Sequence, residues 1–165
     1  MQTEPRIVER AEQPYVAIKA RVTMQELGPK LPPLHAELFG WLGAHGAQPA
    51  GAPFWKYNVV DMERTLEVEV GIPLAAAVEG DERVLAGVLP AGRYAFSSHT
   101  GHPAELVDAT GALLDWAAGH GHAWDMIDTP EGQRWAARLE FYNTDPREEP
   151  DLDKWETDLL FRLAD

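Results

Sequence analysis

The side chain with the most chemical promise is Glu140, in the middle of the stretch Ala136–Asp145, A-A-R-L-E-F-Y-N-T-D. Leu139 and Phe141 flank it, so the stretch reads as a buried strand with a carboxylate inside it. Burying an unpaired charge is costly, so such a group is paired, protonated or reserved for a partner. Two chemistries follow. Ionised in an apolar cavity, the carboxylate neutralises a cationic or polarised ligand, and aromatic faces add roughly 0.5–2 kcal/mol each as cation–π contacts. With its pKa raised by burial, it becomes a general acid, or the base that activates water. The plainer role is structural: a carboxylate paired with Arg138, Arg162 or a backbone amide.

Other reactive side chains are less well arranged. His99 and His102 flank Gly101, and His120 and His122 flank Gly121. Neither spacing matches a zinc pattern, and the second pair sits at a helix end, where imidazoles satisfy terminal carbonyls. No metal is expected. Ser97 and Ser98 lie outside any G-x-S-x-G elbow. No glycine-rich phosphate loop is present, and no cofactor is expected.

Composition narrows the partners. Fourteen Lys and Arg against 27 Asp and Glu leave a formal charge of −13. That argues against nucleic acid, where basic residues supply most of the affinity. The acidic surface serves solubility first. Without cysteine there is neither a disulfide framework nor a thiolate metal site. No apolar run would span a bilayer and Met1–Arg10 carries no signal-peptide core, so a soluble, cytoplasmic protein is expected, with no membrane partner. A chain of 165 residues suffices for one well-cored domain or two very small, intimately packed ones.

The elements around Glu140 follow from hydrophobic periodicity. Gln13–Val22 alternates as a strand, with Val16, Ile18, Ala20 and Val22 on one face. Prolines at 32 and 33 suit a helix start, and Leu34, Leu38, Trp41 and Leu42 form its apolar stripe, ending near Gly46. Phe54–Val60 and Thr65–Pro73 read as a hairpin. After the turn-rich boundary Ala75–Asp81 the pattern recurs: extended segments at Val84–Leu89 and Arg93–His99, a helix at Ala104–Gly119, and strands at Trp135–Asn143 and Trp155–Leu163.

The halves also match in residues, at roughly 5–74 and 82–163 of a single domain covering 1–165. Leu38, Trp41, His45 and Gly46 recur as Leu113, Trp116, His120 and Gly121, and Tyr57-Asn58 recurs as Tyr142-Asn143. Each half has too few strands to bury its own apolar face, so the two should pack about a pseudo-two-fold axis. Trp55 then occupies the position equivalent to Glu140, and Tyr57 and Tyr142 lie two residues along on the same strand faces. An indole from one half would face a carboxylate from the other, a clamp for a flat ligand at the junction. The plainer alternative is an aromatic core. Trp41 and Trp116 are first of all packing residues, Trp41 in the core and Trp116 a candidate wall. Phe96 and Trp155 fit cleft or core equally.

The ordered set L-P-A-G-R-Y-A at 89–95, Gly101 before the helix, L-L-D-W-A at 113–117, L-E-F-Y-N-T-D-P at 139–146 and W-E-T-D-L at 155–159 resembles the GyrI-like family. These are small-molecule-binding domains that also form the effector half of multidrug-sensing transcription regulators. The resemblance is strong over 82–163 and looser over 5–74. It implies an α+β fold: two β-α-β-β modules in pseudo-two-fold arrangement, a curved antiparallel sheet, two main helices and a central cleft. It also implies a buried glutamate among aromatics, which falls on Glu140. The chain shows no helix-turn-helix arm, so the stand-alone form is expected. The expected function is binding of aromatic, often cationic compounds, with Glu140, Tyr142, Trp55, Tyr57, Phe96, Trp116 and Trp155 as ligand-binding residues. The alternative is hydrolysis of cyclopropane-containing DNA-alkylating natural products, with Glu140 and Tyr142 as catalytic groups and Tyr57 in reserve. Some relatives inhibit gyrase, but the DNA-like charge run that such a protein partner would call for is missing here.

Overall fold

The computed structural model describes residues 1–165. Ten strands form one antiparallel sheet: β1 (Arg6–Arg10), β2 (Gln13–Val22), β3 (Phe54–Val60), β4 (Leu66–Pro73), β5 (Leu85–Leu89), β6 (Gly92–Thr100), β7 (Met126–Thr129), β8 (Gly132–Trp135), β9 (Arg138–Tyr142) and β10 (Glu156–Arg162). The helices are the one-turn α1 (Leu27–Lys30), α2 (Pro32–His45) and α3 (Leu106–Gly119). Proline opens α2, where a missing N–H costs nothing, and Gly46 closes it in the left-handed conformation, φ 64°. His102 caps the turn before α3, its ring nitrogen accepting from the Ala104 N–H.

The main path of the sheet runs β1-β6-β10-β9-β3-β4-β2-β5. β5 and β6 stand six places apart in that order, yet only Pro90 and Ala91 join them. In a flat sheet six spacings of ~4.8 Å would separate them by ~29 Å. The link between Leu89 and Gly92 reaches only ~11 Å. The sheet must therefore curl into a half-barrel. Tyr15, Ala17, Phe54, Leu89, Tyr94, Leu139, Phe141 and Leu160 fill the inside of the curl, and Arg10 reaches over from β1 to the Phe141 ring, 5.2 Å from its centroid.

The other face carries the helices. α2 packs on β2 and β4, and α3 on β6. Leu38 and Leu42 lie over Val16, Ile18 and Ile72, while Ala109 and Leu113 join Val68, Val70, Ala95, Leu159 and Phe161. In the strand order, β6-β10-β9 of the second half mirrors β2-β4-β3 of the first about the β3–β9 pair. β3 and β9 therefore lie between the two helices, and they position the site.

Several expectations need correction. Trp135–Asn143 is not one strand: it breaks at Ala136-Ala137, where the Ala136 N–H bonds Asp125, and β8 folds back on β7 while pairing with β3. β1, β7 and α1 carried too few periodic residues to be seen. Trp41 is not core. It is half-buried, stacks on His45 at 3.9 Å, and donates its indole N–H to Asp81 Oδ2 at 2.8 Å.

Candidate functional site

Strand alternation and register assemble the group. On β9, Arg138, Glu140 and Tyr142 point to the helix face while Leu139 and Phe141 point inside the curl. β3 pairs with β9 so that Trp55 lies directly opposite Glu140, and Tyr57 follows two residues along. Glu140 is 7% exposed. Its Oε1 accepts both the Tyr142 hydroxyl at 2.6 Å and the Tyr57 hydroxyl at 3.0 Å. The Trp55 and Tyr142 rings meet edge to face at 5.1 Å.

Burial pushes the Glu140 carboxyl above its ordinary range, against the two hydroxyls and the Arg138 charge, which pull it down. Burial, with the nearby Glu140 charge, drives both tyrosines well above the phenol range, so they remain donors. Neither arginine of the structural alternative forms an ion pair with Glu140. Arg162 pairs with Asp125, Nη1 to Oδ2 2.5 Å. Arg138 instead spreads its guanidinium over Trp135 and Phe161, each 4.9 Å away, and Tyr57, 5.8 Å away. The hydroxyls hold the carboxylate, and no protein hydrogen bond ends on its Oε2.

α2 adds a residue that the sequence did not point to. His35 accepts the Trp55 indole N–H on Nε2 at 2.8 Å and faces the Tyr142 ring at 6.3 Å. Burial lowers its pKa to about 4, so it is neutral at physiological pH. With Nε2 accepting, the proton sits on Nδ1, which is buried with no partner. Its only signal was a place beside Leu34 at the edge of the apolar stripe.

Four of the seven nominated ligand residues thus come together: Glu140, Tyr142, Trp55 and Tyr57. Phe96 does not join them. It lies on the inner face of β6, beside Leu160 and beneath the Arg6 guanidinium at 5.1 Å. Trp116 stacks on His120 and His122, with ring centroids at 4.5 and 5.9 Å, at the border of the helix-side core. Trp155 lies just before β10, its indole tied to the Glu149 carbonyl at 2.8 Å. His120 bonds the Trp116 carbonyl at 2.8 Å, the helix-end role expected of it.

A second buried carboxylate also escaped the sequence reading. Glu69, 5% exposed, lies on the inner side of β4, accepting from Tyr15 at 2.6 Å and Asn58 at 2.5 Å, with Lys56 at 3.5 Å. Every oxygen there is satisfied within the protein, unlike those of Glu140. Two surface depressions lie away from Glu140. One of about 310 Å³ lies beside Asp61 and Asp128, and one of about 200 Å³ lies over Phe141 and Leu160.

A curled antiparallel sheet thus carries helices on one face, with a carboxylate–tyrosine–tryptophan group between them. The chain belongs to the GyrI-like small molecule binding domain family, whose model matches residues 3–164. No curated protein sequence matches it. Among solved structures, the C-terminal domain of EcmrR has a TM-score of 0.77 at 17% identity, with 98% of this chain and 97% of that one covered. EcmrR in its complex with DNA matches as well, TM-score 0.77 at 18% identity, but 98% of this chain spans only 57% of that longer chain. SAV2435 bound to tetraphenylphosphonium has a TM-score of 0.59 at 10% identity, covering 98% and 94%. A hydrolase from Listeria innocua has a TM-score of 0.62 at 14% identity, covering 98% and 92%. At these identities the likeness is one of fold.

Proposed function

We propose that the protein binds small aromatic compounds, cationic or polarised ones included, over the β3–β9 junction, with Glu140 as polar anchor and Trp55, Tyr57 and Tyr142 as the surrounding rings. One observation carries this. Glu140 is held by two hydroxyls on a single oxygen, and its second oxygen accepts nothing from the protein. The three rings are only partly buried, so they offer their edges to a ligand. The phosphonium-bound relative supports a ligand of this kind. The mirrored strand order supports reading 5–74 and 82–163 as a duplicated unit meeting at the site.

A planar fluorescent probe with an N–H donor, norharmane, tests the proposal. Binding should saturate, and Glu140→Gln should weaken it by about 1.4–3 kcal/mol through loss of a charge-assisted hydrogen bond. Unchanged affinity in that variant removes Glu140 from the site. The hydrolytic reading draws on the Glu140 pKa, which burial raises above the ordinary carboxyl range, so that this carboxyl holds a proton more readily than an exposed one. Incubation with a cyclopropane-bearing alkylator separates the two: a product heavier by one water, formed only with protein, marks the hydrolase, and intact ligand marks the binder.

A further inference from the structure

Glu140 and Arg138 are same-face neighbours on β9, and Tyr57 joins them: its hydroxyl is on Glu140 Oε1 at 3.0 Å and its ring lies 5.8 Å from the Arg138 guanidinium carbon. The guanidinium of the half-buried Arg138 lies against the rings of Tyr57, Trp135 and Phe161, and its Nε is buried without a hydrogen-bond partner. Arginine does not give up its proton in proteins. No carboxylate forms an ion pair with it, and ring faces rather than a counter-charge line its buried side.

From this cage we infer that Arg138 is a specificity-determining residue: the protein supplies its own cation beside Glu140, so the site prefers uncharged, polarised aromatic ligands over cationic ones of the same shape. This inference rests on the proposed binding site and narrows its ligand class. The charge count does not depend on the state of Glu140. If Glu140 is ionised, one carboxylate meets one guanidinium and the group is neutral. If it is protonated, the group is positive. In neither state does a ligand cation meet an uncompensated negative charge. His35 is neutral and changes nothing. What remains attractive is the free Oε2 as an acceptor and the partly exposed rings of Trp55, Tyr57 and Tyr142. An uncharged heteroaromatic with a ring N–H to donate to Oε2 matches that set.

The test compares norharmane with its quaternary salt, N2-methylnorharmanium, at mildly alkaline pH, where the first is uncharged and the second is a cation of nearly equal shape. Fluorescence titrations are run on the wild type, Arg138→Met, Arg138→Gln and Arg138→Lys, with thermal melts to confirm folding. The wild type should bind norharmane more tightly. Removing the guanidinium should shift the preference toward the cation by roughly tenfold to hundredfold, the scale of one charge–charge contact at an intermediate dielectric. Arg138→Lys keeps the charge and should keep the wild-type order. A wild-type preference for the cation overturns the inference, as does an equal shift in Arg138→Lys, which would mean that packing rather than charge sets the order. Should Arg138→Met not fold, Arg138→Gln and the wild-type preference decide the same question. If neither probe saturates in any folded variant, the binding site itself is refuted, and the role of Arg138 with it. Tight, Glu140-dependent binding without the charge preference refutes only Arg138.

Discussion

Glu140 pits stability against function at a single side chain. Burial raises its pKa more than the two hydroxyls and Arg138 lower it, so the ionised form is less comfortable in the fold than the neutral one. A group whose folded pKa is raised contributes stability below its unfolded value, near ~4.3 for glutamate, and loses it as pH rises through the folded value. Glu140→Gln, whose amide oxygen can still accept both tyrosine hydroxyls, should therefore melt at a higher temperature than the wild type at neutral pH. Below about pH 4 the two curves should converge. An acid-independent difference would mean that the carboxyl does not titrate as its burial demands. A neighbouring change isolates the hydrogen bonds: Tyr142→Phe removes the shorter donor and should cost about 1–3 kcal/mol in urea melts at neutral pH, since a buried carboxylate then keeps only Tyr57. This part of the site was legible in the sequence, because alternation along Arg138, Glu140 and Tyr142 and the matched Tyr-Asn pairs place the side chains without any knowledge of loops. The Arg138 cage was not legible, since it needs Phe161 from β10 and Trp135 from a strand break that no periodicity marks.

At the scale of elements, one hydrogen bond ties α2 to the sheet beneath it: Trp55 of β3 donates to His35. Burial depresses the His35 pKa to about 4, against ~6.5 in an unfolded chain. A base with a depressed folded pKa contributes stability above its unfolded value and loses it as pH falls toward the folded one. The protein should therefore lose up to roughly 3 kcal/mol from this group between about pH 6.5 and 4, opposite in sign to the effect of Glu140. His35→Gln, which keeps an acceptor for the indole but does not titrate, should flatten that loss in a series of denaturant melts. An unchanged acid profile would place the sensitive group elsewhere. The elements themselves were read well where they are long. The strand at Gln13–Val22, the hairpin of β3 and β4, and both main helices rest on seven or more residues each, with clear caps, Pro32 and Gly46, for α2. R-I-V-E-R and M-I-D-T are too short to show a period, and only pairing with β6 and β8 makes them strands. His35 joined the site for a similar reason: nothing local to α2 says that its partner is an indole on β3.

The whole molecule depends on the curl, and the curl depends on rings laid flat against bare backbone. Phe54 lies over Gly71 of β4: a methyl group there would sit 2.5 Å from Phe54 Cζ and 2.7 Å from Cε2. Tyr15 lies over Gly87 of β5, where a methyl would come within 2.9 Å of three of its atoms. These two rings also meet each other edge to face at 5.4 Å, so they form one wedge inside the half-barrel. Neither ring can withdraw: Phe54 is fully buried, and Tyr15 is held by its hydroxyl on Glu69. Sheets bend sharply where glycine lets an aromatic ring cover the strand. Gly71→Ala should therefore destabilise the fold by about 1–3 kcal/mol through overpacking. Gly87→Ala should do the same, with part of its cost coming from a weakened Tyr15–Glu69 bond. The combination of Gly87→Ala with Tyr15→Phe should accordingly cost less than the sum of the two single changes. Gly43, exposed in the last turn of α2 with open space around its Cα, is the internal contrast. Gly43→Ala should raise stability by about 0.5–1 kcal/mol from helix propensity alone. If urea melts showed Gly71→Ala and Gly43→Ala moving the midpoint in the same direction, the ring wedge would not be what holds the sheet in its curl.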